Sequence, residues 1–251
     1  MMKNNLYSQL NDNFKKLGMS QVNLHLEEIT NDIASNKISI TEGLLRLTNY
    51  EIDYKAKSAA MSILKVAAFP YIKELKDFDF DFQPSVSQQK LMELANLEFI
   101  NNAENIVFLG SSGVGKTHLA TSIGIAAAKQ RISTYFIKCN DLFMQLKKAK
   151  LENRLEARLK NFAKYKLLII DEIGYLPISE EDSNLFFQLI DMRYEKKSTV
   201  FTTNISFDQW DRIFYDAVVA NAILDRILHH SHVITITGNS YRLKDCVALK
   251  E

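Results

Sequence analysis

The run Gly110-Ser111-Ser112-Gly113-Val114-Gly115-Lys116-Thr117 constrains this chain more than any other stretch. It matches G-x-x-x-x-G-K-[ST], a loop whose backbone wraps the phosphates of a nucleoside triphosphate. Ile106-Val107-Phe108-Leu109 before it reads as a short buried strand, and Thr117 to Lys129 after it reads as a helix. The physics requires that order. Glycines let the chain turn tightly so that successive N–H groups point inward, and the helix N-terminus adds a partial positive charge. In such a loop Lys116 reaches the β- and γ-phosphates and the Thr117 hydroxyl ligates Mg²⁺. Gly110 through His118 form the expected nucleotide-binding set, with a nucleoside triphosphate and Mg²⁺ as the implied ligands.

The pattern around the loop sets the fold class. From Ser85 onward strand and helix alternate, which predicts an α/β domain with a parallel sheet covered by helices on both faces. The expected strands are Ile106–Leu109, Ser133–Lys138, Lys166–Asp171, Ser198–Thr203 and His232–Ile236. Helices are expected at Ser179 to Lys196, where Ser179 and the acids after it suit a helix N-terminus, and at Val218 to His230. The first part, to about Asp77, reads as helices instead. Leu24, Leu26, Ile29 and Ile33 mark one amphipathic stretch, and Leu44, Leu45, Leu47, Tyr50 and Ile52 another, with Ser39 or Thr41 as cap. The expected organisation is a small helical domain over 1–77 and the nucleotide-binding domain over 78–251. The segment Lys76 to Pro84 alternates acids with Phe78, Phe80 and Phe82, and reads as the joint. Burial of some of these rings is expected, as anchors or against the nucleotide base.

Composition excludes rather than selects. A formal net charge of +1, 47% hydrophobic and 24% charged residues are ordinary for a soluble globular protein. Any polyanion contact must therefore come from a local patch. No apolar run is long enough to span a membrane, and the first ten residues are too polar for a signal peptide. Cys139 and Cys246 lack metal or redox spacing and are expected to be reduced, inert thiols of a cytoplasmic protein.

Five further features carry chemistry. Leu167-Leu168-Ile169-Ile170-Asp171-Glu172 places two acids at the carboxyl end of a buried strand, where α/β sheets hold their ligands. Asp171 would hold Mg²⁺ through a water, and Glu172 would position and deprotonate an attacking water. Asn204 closes the fourth strand and could orient that water. Arg226 sits in an otherwise apolar helical pattern, and Arg242 follows the last strand. Each suits bidentate phosphate contact, with an ordinary ion pair as the alternative. Lys147, Lys148, Lys150, Arg154, Arg158, Lys160, Lys164 and Lys166 crowd one stretch, opposed within that run by Glu152 and Glu156. It reads either as a solvated helix face or as a polyphosphate-binding surface. His229, His230 and His232 lack a Cys or a second cluster nearby, so they read as residues of a helix C-terminus rather than metal ligands.

Taken together, these motifs resemble the IstB-type transposition helpers and, behind them, the DnaC-like helicase loaders of the AAA+ ATPases. The marks are Leu109 to Ala120, Ile169-Ile170-Asp171-Glu172-Ile173-Gly174-Tyr175-Leu176-Pro177, Leu224 to His230 and Asn239-Ser240-Tyr241-Arg242. The resemblance implies a Walker A pair, Lys116 and Thr117, and a Walker B pair, Asp171 and Glu172. It implies sensor 1 at Asn204, with Thr203 as the alternative, an arginine finger at Arg226 acting on the neighbouring subunit's ATP, and sensor 2 at Arg242. It places a basic helical insert at about 141–166, where Lys147, Lys148, Lys150, Arg154 and Arg158 would contact DNA. The implied function is Mg²⁺-dependent, DNA-stimulated ATP hydrolysis by a homo-oligomer on duplex DNA of any sequence, recruiting a cognate transposase. A helicase loader is the alternative.

Overall fold

In the computed structural model, which describes residues 2–244, the apolar runs of the sequence become strands buried on both faces. The chain begins with α1 (Met2–Lys16), α2 (Ser20–Ala34), α3 (Ile40–Val66), α4 (Gln88–Ala95) and a short α5 (Glu98–Asn101). Then come β1 (Asn105–Gly110), α6 (Lys116–Lys129), β2 (Thr134–Lys138), α7 (Cys139–Leu151), α8 (Leu155–Ala163) and β3 (Leu167–Ile173). The chain continues through α9 (Glu180–Arg193), β4 (Ser198–Thr203), α10 (Trp210–Ile213), α11 (Ala217–Leu228) and β5 (Ser231–Ile236). The five strands lie in the order β2-β3-β4-β1-β5, and every pairing is parallel.

Side chains alternate across each strand, so a run apolar at every position buries both faces. Ile106 and Phe108 of β1, Leu167 and Ile169 of β3 and Val200 of β4 join the core that includes Leu119 and Ile123 of α6. Val107, Leu168, Ile170 and Phe201 join the opposite core, with Leu146 of α7, Phe162 of α8, Phe186 of α9 and Ile223 of α11. The strand order brings the carboxyl ends of β3, β4 and β1 side by side, and the site is built there.

The chain divides into two compact units, Met1–Ser62 and Ile63–Glu251. The division falls inside α3, earlier than the expected boundary at residue 77. Residues that follow α3 are held by the sheet unit: the Phe136 amide donates to the Ala67 carbonyl at 2.7 Å, and Phe69 packs against that unit's core. Phe78 is buried there too, with Phe80 partly buried beside it. The segment read as a joint is thus part of the sheet unit.

The first unit has a small core of Val22, Leu26, Ile29 and Leu47. Leu24, Leu44, Leu45 and Ile52, read as parts of apolar stripes, are exposed. Ser39 caps α3, its hydroxyl accepting from the Glu42 amide at 3.1 Å. Glu51 is buried and accepts from the Gln21 and Val22 amides at the start of α2. Burial alone would raise its carboxyl, but those amides and Lys55 outweigh it and hold the group below the ordinary glutamate range. Cys139 is buried, and desolvation keeps its thiol protonated, as an inert residue should be. Cys246 lies outside the described residues.

One buried cation fastens the sheet unit. Arg193, 2% exposed, donates to the Thr199 hydroxyl and to the carbonyls of Phe162, Ala163, Tyr165 and Ser198. It ties the end of α8 and the starts of β3 and β4 to the last turn of α9. Burial lowers its pKa to about 9, which leaves it charged at neutral pH. Replacing it with leucine strands several buried oxygens, each costly without a donor. Arg193→Leu is expected to lower unfolding free energy by about 3 kcal/mol or more, read from urea midpoints; an unchanged midpoint would contradict this role.

Candidate nucleotide site

The loop between β1 and α6 has the backbone its glycines predict. Gly115 sits at φ +100°, and a Cβ there would lie 2.5 Å from the Phe78 ring. Gly113, at φ +83°, has Ser240 closer still, 2.0 Å from where a Cβ would lie, and its carbonyl accepts from the Tyr241 amide at 2.9 Å. Lys116 opens α6 and donates to the Gly110 and Ser111 carbonyls, both at 2.7 Å. Its ammonium therefore lies across the loop. Burial lowers the Lys116 pKa, and Arg242 adds to that effect, while Asp171 and Glu172 oppose it. His118 follows Thr117, its Nε2 3.0 Å from the Glu74 carbonyl, and burial lowers its pKa.

Asp171 is the centre of the arrangement. Its carboxylate is buried and accepts from the Thr117 hydroxyl at 2.9 and 3.2 Å and from the Thr202 hydroxyl at 2.6 Å. Thr202 in turn accepts from the Glu172 amide at 2.9 Å. Desolvation raises the Asp171 pKa, and the two threonine hydrogen bonds pull against that rise. Hydroxyl and carboxylate oxygens are the donors that a small hard cation takes. Thr117 and Asp171 thus fit Mg²⁺.

Beyond Asp171 the ladder between β3 and β4 slips its register, between Ile170 and Ile173. Glu172 there has φ +63°, a conformation non-glycine residues adopt at a cost of about 1–3 kcal/mol. The irregularity lets two consecutive acids serve one place: Asp171 stays under the loop while Glu172 enters the cleft. Its Oε2 lies 3.0 Å from Nζ of Lys138, the last residue of β2. That contact raises the Lys138 pKa.

The cleft has a volume of about 540 Å³ and takes in Lys116, Thr117, His118, Glu172, Asn204 and Arg242, within the range of small-ligand sites. Tyr71, Phe78 and Tyr241 supply aromatic wall. Between the two alternatives at the end of β4, Asn204 reaches the cleft. The buried Thr203 hydroxyl instead donates to the Ile173 carbonyl at 2.9 Å. Phe78 is a wall of the cleft and an anchor at once, packed edge-on to His118 with ring centroids 5.4 Å apart.

Arg226 does not line this cleft. It pairs with Asp191 of α9 at 2.9 Å, donates to the Ala222 carbonyl and lies 4.7 Å above the Phe187 ring. The ion pair expected as its alternative is formed, with Asp191 of α9. The basic run lies on and beside α7 and α8, and its charge is more fully paired than the sequence suggests. Lys147 pairs with Asp182 at 2.8 Å and Lys150 with Glu181 at 2.7 Å, so the acids that begin α9 offset it as well. Arg154 pairs with Glu152, and Arg158 bonds Gln145 while stacking over Phe162. Lys148, Arg154 and Arg158 border a groove between the two helices. Two members of the site escape a reading of the sequence alone, Lys138 and Thr202. Lys138 ends β2 and Thr202 lies one residue from the end of β4, both beside β3, and that position was the available signal.

Comparison with known proteins follows this geometry. Residues 12–248 match the family described as IstB-like ATP binding protein. The chain belongs to that family. A relative from insertion sequence IS232 of Bacillus thuringiensis subsp. berliner, named for ATP binding, is 59% identical over 97% of both chains. The corresponding protein of insertion sequence IS21 from Pseudomonas aeruginosa is 41% identical, over 92% of this chain and 87% of its own. Among solved structures, the DnaC helicase loader is 25% identical with a TM-score of 0.55, covering 65% of this chain and 96% of that one. AMPPCP-bound DnaA from Aquifex aeolicus, 20% identical over 73% of this chain and 56% of its own, has the same fold at a TM-score of 0.57. The fold is the AAA+ P-loop type, and the family implies ATPase activity.

The Lys138–Glu172 pair occupies a carboxylate suited to activating water. Both side chains are roughly half exposed, so the pair is worth at most about 1 kcal/mol. Lys138→Met is expected to raise phosphate release in the absence of DNA, by up to about fivefold. Unchanged or reduced release would mean that the pair does not restrain Glu172.

Proposed function

We propose that this chain is an ATP-driven transposition helper. Binding of ATP at subunit boundaries assembles it on duplex DNA, the assembly recruits the cognate transposase, and hydrolysis releases it. The observation that carries the reading is the convergence of Lys116, Thr117, Glu172, Asn204 and Arg242 on one cleft, with Asp171 bonded to Thr117 beneath it and Arg226 outside it. Gly110 to Gly115 and Lys116 hold the phosphates, and Arg242 meets them in cis. Thr117 and Asp171 would hold Mg²⁺, which would supply charge neutralisation on the phosphates. Glu172, freed from Lys138, takes the proton of the attacking water, and Asn204 orients that water. Arg226, fixed by Asp191 and Phe187, faces the neighbouring subunit's nucleotide.

The groove between α7 and α8 supports the DNA part of the reading. Lys147, Lys148, Lys150, Arg154 and Arg158 meet phosphates rather than bases, so binding is insensitive to sequence. Pairing with Glu181 and Asp182 tempers the patch without abolishing it. The likeness to the DnaC helicase loader favours a second reading, in which the same core loads a helicase. The insertion-sequence relatives, at 59 and 41% identity, favour the transposition helper.

Fluorescence anisotropy on a labelled random-sequence duplex tests the reading. Wild-type protein is expected to assemble on the duplex with ATP, and Lys116→Ala to lose the ATP dependence. Neutralising Lys147, Lys148, Arg154 and Arg158 together should weaken binding and flatten its salt dependence, by about 0.9 in log–log slope per lost phosphate contact. Binding indifferent to ATP would overturn the switch, and an unchanged slope would place the DNA path elsewhere.

A further inference from the structure

The sequence keeps Glu195 more than thirty residues from the histidine pair that follows α11, and the fold brings them together. Glu195 lies in the turn from α9 to β4, and His229 and His230 in the turn from α11 to β5. Glu195 Oε1 is 3.7 Å from Nδ1 of His229 and 3.6 Å from Nε2 of His230. All three side chains offer a ligand atom within 4.8 Å of one another. We infer that Glu195, His229 and His230 form a binding site for a borderline divalent transition-metal ion of the zinc class.

The chemistry and the local build both favour this. Two imidazoles and a carboxylate are a donor set of the kind zinc takes where one coordination position stays open. Tetrahedral zinc, with bonds of about 2.0–2.1 Å, sets its donors roughly 3.3 Å apart, a few tenths of an ångström from the two carboxylate–imidazole separations here. The turns that present the donors are fixed from behind. Glu195 has φ +56°, and the amides of the next two residues, Lys196 and Lys197, both donate to the Arg193 carbonyl, whose side chain is the buried cation described above. The His230 carbonyl accepts from the Asn105 amide at 2.7 Å, at the start of β1. The Tyr194 hydroxyl lies 2.6 Å from Nδ1 of His229 and gives up that nitrogen when the ion binds. The two imidazole centroids are 3.9 Å apart.

The surrounding field also suits a cation. His229 caps the C-terminal end of α11, where the helix carries partial negative charge. The nearby Arg226 guanidinium is engaged by Asp191, so it does not neutralise Glu195. His232, the third histidine of the cluster, pairs separately with Glu104 at 2.9 Å and takes no part. All three ligating side chains are about half exposed, which leaves the remaining coordination position to water. The ion would bridge two turns at the amino ends of the strands, the edge of the sheet opposite the nucleotide cleft.

The test titrates Zn²⁺ and then Co²⁺ into full-length, chelator-stripped protein without nucleotide. Calorimetry follows the first ion, and visible absorption of the protein-bound ion follows the second. The wild type is expected to bind one equivalent that raises its melting temperature. Glu195→Gln and the paired variant His229→Ala/His230→Ala should each bind at least about tenfold more weakly and lose the melting shift. Asp171→Asn separates this site from metal held in the nucleotide cleft and should leave the equivalent in place. Circular dichroism of the variants establishes that loss of binding is not loss of fold. Equal affinity in wild type and the histidine variant, loss of the equivalent in Asp171→Asn, or no binding by the wild type at micromolar metal would each overturn the site.

Discussion

A single buried carboxylate organises the functional end of this protein. Asp171 takes hydrogen bonds from Thr117, on the phosphate-loop helix, and from Thr202, on the strand next to it. Each contact spans elements distant in sequence, so the relative placement of β3, β4 and α6 is set at the site itself. A carboxylate this deep is costly unless its oxygens are satisfied. The hydroxyls that satisfy it also complete the oxygen set on which a hard cation would rest. Thr202 has a further part, because accepting the Glu172 amide stabilises the strained backbone that turns the second acid into the cleft. The phosphate-loop helix, Asp171 and Glu172 are therefore one connected structure.

Much of this was legible in the sequence because the signals are local. The loop motif fixed Gly110 to His118, and apolar runs marked all five strands to within a residue or two at most ends. The fourth strand, Ser198–Thr203, agrees at both ends. Ser179 caps α9 as its type and position suggest, its hydroxyl accepting from the Asp182 amide. Asn204 and Arg242 both reach the cleft.

What the sequence left open depends on which distant residues meet. Lys138 and Glu172 are brought together by the register of β2 on β3, which pairs Lys138 with Asp171. Arg193 looks like any helix cation until three neighbouring elements close around it. The basic run seemed barely opposed because Glu181 and Asp182 were counted only as helix-start acids. In the first unit, apolar spacing marked the inward side of α2 through Leu26 and Ile29 but not that of α3, where Leu47 is buried while Leu44 and Leu45 are exposed. The histidine pair lacked a metal-ligand partner in sequence and has one in space.

Arg226 decides whether the cleft is complete within one chain. Its guanidinium is held on the surface by Asp191, Ala222 and Phe187, away from its own nucleotide cleft. An ATPase completed across a subunit boundary accounts for such a placement, and ATP would then report assembly as well as drive it. The direct measurement is hydrolysis by a mixture of two variants, Glu172→Gln and Arg226→Ala, each purified and nearly inactive alone. If Arg226 acts on a neighbour, mixing restores turnover, since Glu172→Gln subunits supply the arginine to intact clefts of Arg226→Ala subunits. A mixture that stays inactive at every ratio would contradict the account.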